Sequence, residues 1–126
     1  MANHAKIMIV EDDTDQLIGL KIRLQANHYT VVHAVDAVAA ISTARREQPD
    51  LILLDLGLPA GDGFTVMERL HDLMDVAHIP IIIVSAREPE AYAERAINEG
   101  AFAFFQKPVD NVELLEAIEH ALGTAV

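Results

Sequence analysis

Three carboxylates sit where short apolar runs end, and that placement is the chemistry this chain offers. Asp55 closes Leu51-Ile52-Leu53-Leu54 and opens Leu56-Gly57-Leu58-Pro59-Ala60-Gly61-Asp62-Gly63, while Glu11 and Asp12 close Ile7-Met8-Ile9-Val10. If both runs are strands of one open α/β sheet, the acids meet in the crevice at the strands' carboxyl ends, where such sheets bind ligands. Like charges gathered there repel by roughly 4 kcal/mol per pair at 4 Å with an effective dielectric near 20. Hard oxygen donors in that number suit a divalent cation such as Mg2+. Ser85 and Lys107, each after a further apolar run, add a hydroxyl and an ammonium to the same rim. A carboxylate nucleophile, a cation site, a hydroxyl and an ammonium are the parts needed to accept a phosphoryl group, a reaction governed by positioning and charge.

Five short runs, Lys6–Val10, Thr30–Val35, Leu51–Leu54, Ile79–Val84 and Phe102–Gln106, are β-branched or aromatic-rich in the manner of buried strands. Amphipathic stretches lie between them. Leu17, Leu20 and Leu24 share one helix face, Ala37, Ala40, Ile41 and Ala44 another, and Leu115, Ile118 and Leu122 a third near the end. Pro49-Asp50 stops the second helix, Pro89 suits a first helical turn, Gly100 suits a helix C-terminal cap, and Asp110 with Glu113 has the spacing of a capping box. This alternation predicts an α/β fold, (βα)5, with a doubly wound parallel five-stranded sheet and right-handed crossovers.

The 126 residues suit one domain, 1–126, with no repeat, linker or low-complexity tract, and only four residues after Leu122, too few for an output domain. The 52% hydrophobic and 23% charged content is that of a soluble globular protein, and no apolar run approaches the roughly 18 residues of a membrane span. Without a secretory leader or cysteine, the expected compartment is the cytoplasm. The net charge of -11 argues against direct binding to nucleic acid or to an anionic membrane and makes basic protein surfaces the expected partners, if it does more than keep the protein soluble.

Over essentially its whole length the sequence resembles the receiver domains of two-component response regulators. The resemblance rests on Ile9-Val10-Glu11-Asp12-Asp13, on Leu54-Asp55 through Gly63, on Val84-Ser85-Ala86 and on Lys107-Pro108, in that order and spacing. It implies the flavodoxin-like strand order 2-1-3-4-5, for which the sheet class already has a receiver as an example. It also implies that Asp55 takes phosphate from a phosphohistidine on a histidine kinase or a histidine phosphotransfer protein. Asp12 and Asp55 would ligate Mg2+ with the backbone carbonyl of Gly57, Glu11 would act largely through water, and Ser85 and Lys107 would read the phosphoryl group. Lys107-Pro108 would be a cis peptide, and Phe104 would stand at the switch aromatic beside Ser85. Phe104 lacks the hydroxyl often found there, Gly57 has no side chain to hold an attacking water, and Arg87 is a long cation at a position that varies.

Individual residues admit other readings. Glu11-Asp12-Asp13 alone could be a solvated turn, with Asp13 or Thr14 capping the first helix; Ser85 alone could be a cap. Phe102, Phe104 and Phe105 could all be core. His4, His28, His33, His71, His78 and His120 share no ligand spacing and are read as loop or surface residues. An alternative is a Mg2+-dependent haloacid-dehalogenase-like phosphatase, which needs a second acid where this chain has Gly57. A flavodoxin-like electron carrier would need a phosphate loop where this chain has acids. The chain is expected to catalyse only its own phosphorylation and slow dephosphorylation and so is not an enzyme. The acidic face of Glu88, Glu90, Glu94, Glu99, Glu113, Glu116 and Glu119 predicts a monomer, or pairing through another surface. A donor reaching Asp55 from the strand-end side would meet Asp15, Gln16, Gly19 and Pro108.

Overall fold

The computed structural model describes residues 5–59 and 61–123. Strands β1 (Lys6–Val10), β2 (Thr30–Ala34), β3 (Leu51–Leu54), β4 (Ile81–Ser85) and β5 (Ala103–Gln106) alternate with α1 (Thr14–Ala26), α2 (Ala37–Glu47), α3 (Gly63–His71), α4 (Pro89–Asn98) and α5 (Asn111–Ala121). All strand pairs are parallel, in the order β2-β1-β3-β4-β5. This is the flavodoxin-like order expected from the sequence.

Parallel strands covered on both faces bury successive side chains in opposite directions, so their apolar runs serve two cores. Met8, Val10, Ile52, Leu54, Ile81 and Ile83 join the core under α2, α3 and α4. Their neighbours Ile7, Ile9, Leu51, Leu53, Ile82 and Val84 join the core under α1 and α5. β3 and β4 are buried at every residue.

Aspartates start four of the helices. Asp13, Asp36, Asp62 and Asp110 each accept a hydrogen bond from the backbone N–H three residues on, satisfying one of the donors a helix start leaves free. Asp13 is therefore a cap, as expected. Pro89 opens α4 at its first position, and α2 closes on Gln48 in the left-handed region rather than on Pro49 itself. Gly100 follows α4 with φ +108°, and a Cβ there would lie 2.6 Å from His71 Cε1. Only glycine suits both that conformation and that contact.

The structure departs from the expected elements in several places. β2 ends at Ala34 rather than Val35, and β5 starts at Ala103 rather than Phe102. β4 starts at Ile81, two residues late, because Pro80 has no N–H for the ladder; it ends on Ser85, whose carbonyl accepts from Lys107 N at 2.8 Å. α5 is turned so that Leu114 and Ile118 are buried, with Leu115 and Leu122 only partly covered. Phe102 is 49% exposed, whereas Phe104 and Phe105 pack partly buried on opposite cores. His33 and His120 are exposed and His71 half-exposed on their elements, so these three are surface residues as expected; His4 lies outside the described residues.

Candidate functional site

The strand order puts β1 and β3 side by side, pairing Val10 with Leu54, so the residues that follow them emerge together. Asp55 N donates to the Val10 carbonyl at 3.1 Å, which fixes the two ends directly. As a result Glu11, Asp12 and Asp55 each bring one carboxylate oxygen within 4.8 Å of the others. The three differ in environment: Glu11 is buried, Asp55 half-buried and Asp12 exposed. Three hard oxygen donors at this separation, one already in contact with solvent, fit a small divalent cation that retains several waters.

Lys107 enters from β5 and bridges two of these acids, with Nζ 2.6 Å from Glu11 Oε1 and 3.2 Å from Asp55 Oδ2. Burial pushes the Glu11 carboxyl above its ordinary value, against the lowering effect of the Lys107 hydrogen bond and the Asp13 N–H. For Lys107 burial acts to lower the pKa, but the Glu11 hydrogen bond and the charges of Asp55 and Glu11 outweigh it, and the ammonium is held above its ordinary value. Lys107 is thus a firmly protonated counterion for the pair.

Asp55 Oδ1 accepts from Gly57 N at 3.2 Å, leaving the carboxylate oriented by a backbone donor on one oxygen and by Lys107 on the other. The loop that carries it is held by close backbone contact. Gly63 N donates to the Leu56 carbonyl at 2.8 Å, and a Cβ at residue 63 would lie 2.7 Å from the Asp55 carbonyl oxygen. Ser85, 1% exposed, ends β4, and its Oγ accepts from Arg87 N at 3.1 Å. Among the described residues no buried side-chain nitrogen or oxygen lacks a hydrogen-bond partner. The Lys107-Pro108 peptide is cis, as the resemblance implied.

Asp15, Gln16, Gly19 and Pro108, singled out for donor docking, line one cavity of about 550 Å³ together with Lys107. Leu20, Arg23 and Val109 line it too and were not anticipated. A signal for Arg23 existed, since Asp15, Gly19 and Arg23 recur every four residues and so share a face of α1. Phe104 is half-buried against the core under α4. Arg87 lies over the Tyr92 ring, 5.1 Å from its centroid.

Among the described residues, no helix is long and apolar enough to cross a membrane. The response regulator receiver domain family model matches residues 7–119. The response regulator PleD of Caulobacter vibrioides is 35% identical over 114 residues, which cover 90% of this chain and 25% of PleD, so the chain spans about a quarter of that relative. The polar-differentiation response regulator DivK of Brucella anthropi is 33% identical over 119 residues, covering 94% of this chain and 97% of DivK. The receiver domain of sensor histidine kinase PA1611 from Pseudomonas aeruginosa PAO1, solved with a magnesium ion coordinated in its active site cleft, matches with a TM-score of 0.86 at 24% identity. That match covers 96% of this chain and 99% of the other, and it bears on the fold alone. The haloacid-dehalogenase-like alternative finds no support in these likenesses. With the family match over nearly all of the described sheet and helices, the chain belongs to the response regulator receiver domains, the phosphoacceptor domains of two-component signalling.

Proposed function

We propose that Asp55 is the phosphoacceptor of this receiver and that its donor is a phosphohistidine on a histidine kinase or a histidine phosphotransfer protein. The observation that carries this reading is the Lys107 bridge to Glu11 and Asp55 inside a cluster of three carboxylates. An Asp55 oxygen attacks the phosphorus; a P–O bond forms as the P–N bond breaks, and the imidazole nitrogen leaves with the electron pair and takes up a proton. Lys107 sits where it can hold a phosphoryl oxygen, and the Ser85 hydroxyl, at the end of the adjacent strand, can donate to another. Asp12 and Asp55, with the Gly57 carbonyl and with Glu11 acting through water, would hold Mg2+, which when bound would neutralise charge on the phosphoryl oxygens. The three carboxylate oxygens gathered within 4.8 Å support the choice of a small hard cation.

The cavity lined by Asp15, Gln16, Gly19 and Pro108 opens beside Lys107 and supports entry of the donor histidine along α1. Ser85 and Phe104 form the proposed switch pair: Ser85 ends β4 and Phe104 pairs with Ile83 on the neighbouring strand. In a chain of net charge -11, exposed Glu90, Glu94, Glu116 and Glu119 favour a monomer that engages a basic partner. Residues 1–126 are proposed to act as one receiver domain in the cytoplasm. Its test is labelling by radiolabelled acetyl phosphate in the presence of MgCl2. Incorporation is expected in the parent, with none in Asp55→Asn; label retained in Asp55→Asn would refute the assignment.

A further inference from the structure

Four side chains form a continuous stack outside the carboxylate cluster, and two of them, Arg87 at one end and Phe64 in the interior, are attached to the site. The Arg87 guanidinium lies over Tyr92, 5.1 Å from the ring centroid. Tyr92 stacks on Phe64 with centroids 6.4 Å apart and planes at 27°, and Arg95 lies over the Phe64 ring, 3.8 Å from its centroid. Arg95 is fixed in turn by Glu99 at 2.6 Å. Arg87 belongs to the loop leaving Ser85, to which its own N–H is bonded. Phe64 is adjacent to Gly63, which packs against the Asp55 carbonyl and is bonded to Leu56. The stack therefore closes a circuit from Ser85 through Arg87, Tyr92 and Phe64 back to Asp55.

Among the described residues, no carboxylate lies within ion-pair distance of Arg87. Its guanidinium, held only by an aromatic face, is the available cation nearest to Ser85 in sequence. A half-exposed cation over a ring is bound less tightly than a guanidinium forked onto the oxygens of a phosphoryl dianion, where two charge-assisted hydrogen bonds form at once. We propose that Arg87 is a phosphoryl ligand kept in reserve on Tyr92, and that phosphorylation of Asp55 draws it off the ring. This rests on the phosphoacceptor reading above and extends it to the read-out. Loss of the cation frees the Tyr92 ring on α4, while Phe64 remains anchored to the nucleophile's loop, so α4 is released relative to α3. Phe104, with no hydroxyl to lock either position, need not carry the event alone.

The chain has two tyrosines and no tryptophan, and Tyr29 lies on the opposite core. In a Tyr29→Phe background, Tyr92 emission then reports the stack. Adding MgCl2 with beryllium fluoride, a phosphoryl mimic, is expected to produce a saturable change in Tyr92 emission and to shift the Arg87 Nε–H resonance. The emission change should be absent in Arg87→Ala. Arg87→Lys should retain the charge but bind the mimic more weakly than the parent. Tyr92→Leu should bind it about two- to fivefold more tightly, the equivalent of a released exposed cation–π contact. Acetyl phosphate labelling of the parent is run beside these titrations. Labelling at Asp55 with unchanged Tyr92 emission and an unmoved Arg87 resonance would overturn this proposal and leave the phosphoacceptor reading intact. Absence of labelling would overturn both.

Discussion

Glu11 and Lys107 are 96 residues apart in sequence, yet their charged atoms lie 2.6 Å apart, with side chains only 4% and 17% exposed. The most buried acid of the cluster therefore holds the lysine, while Asp12 faces solvent. One cation offsets part of the repulsion among three anions, and the remainder favours binding a second cation.

MgCl2 is accordingly expected to raise the melting temperature by mass action, by about 2.7 kcal/mol of stability at a concentration 100-fold above Kd. Asp12→Ala should lose most of this rise. Asp55→Asn should modestly stabilise the metal-free protein, because relief of repulsion is partly offset by a weaker Lys107 contact. Calorimetry with and without MgCl2 measures both, and a metal response retained in Asp12→Ala would count against the ligand set.

Gly63→Ala is expected to displace the loop that carries Asp55, because the new Cβ would fall 2.7 Å from one backbone atom and 2.8 Å from another. Overpacking of this kind costs about 1–3 kcal/mol. Urea denaturation should show the loss, and acetyl phosphate labelling should slow in the fraction that remains folded.

Surface changes at Asp15 or Gln16 should slow transfer from the cognate kinase by about tenfold, roughly 1.4 kcal/mol of binding, yet spare labelling by acetyl phosphate. Comparing the two donors separates docking from chemistry. Equal loss with both would place the damage in the chemistry.

Self-dephosphorylation is expected to be slow, since Gly57 offers no side chain to orient a water in line with the phosphorus. A Cβ at residue 57 would meet nothing within 4 Å, so Gly57→Asn can be accommodated and should speed hydrolysis. Phosphoryl loss timed after removal of the kinase decides this; slower loss in Gly57→Asn would mean that solvent access governs the rate.

Lys6 ties the start of β1 to the end of α2, donating to the Glu47 carbonyl at 3.1 Å and to Oε1 at 3.2 Å. The Lys6 hydrogen bond, helped by Arg46, holds the Glu47 carboxyl below its ordinary value. A depressed acid contributes stability that is present above its unfolded pKa, near 4.5, and is lost as pH falls through the folded value. Lys6→Met should therefore unfold more readily than the parent at pH 7, and the gap should narrow below about pH 4.5. Urea midpoints across that range measure it; a gap independent of pH would assign the effect to the carbonyl contact alone.

The central strands were legible because β1 and β3 are uninterrupted apolar runs, and the acids that end them were legible for the same reason. The limits of β4 were harder to read: apolarity includes Ile79, where Pro80 breaks the ladder, and excludes Ser85, which is buried at the strand end. The face of α5 was ambiguous because Leu114 and Leu115 are adjacent, and only packing against β4 and β5 selects Leu114. Asp36 and Asp62 had the sequence position of caps and could have been read. The Glu11–Lys107 pairing and the Arg87–Tyr92–Phe64–Arg95 stack could not, because each joins segments whose proximity exists only after the sheet has formed.

The cavity beside Lys107 belongs to the layer of α1 and α5, whereas the stack from Arg87 to Arg95 runs through the layer of α3 and α4. With the proposed donor in the first layer and an output partner on the second, the two would occupy opposite faces of one sheet, and the state of Asp55 would be open to reading by one protein while another is still writing it.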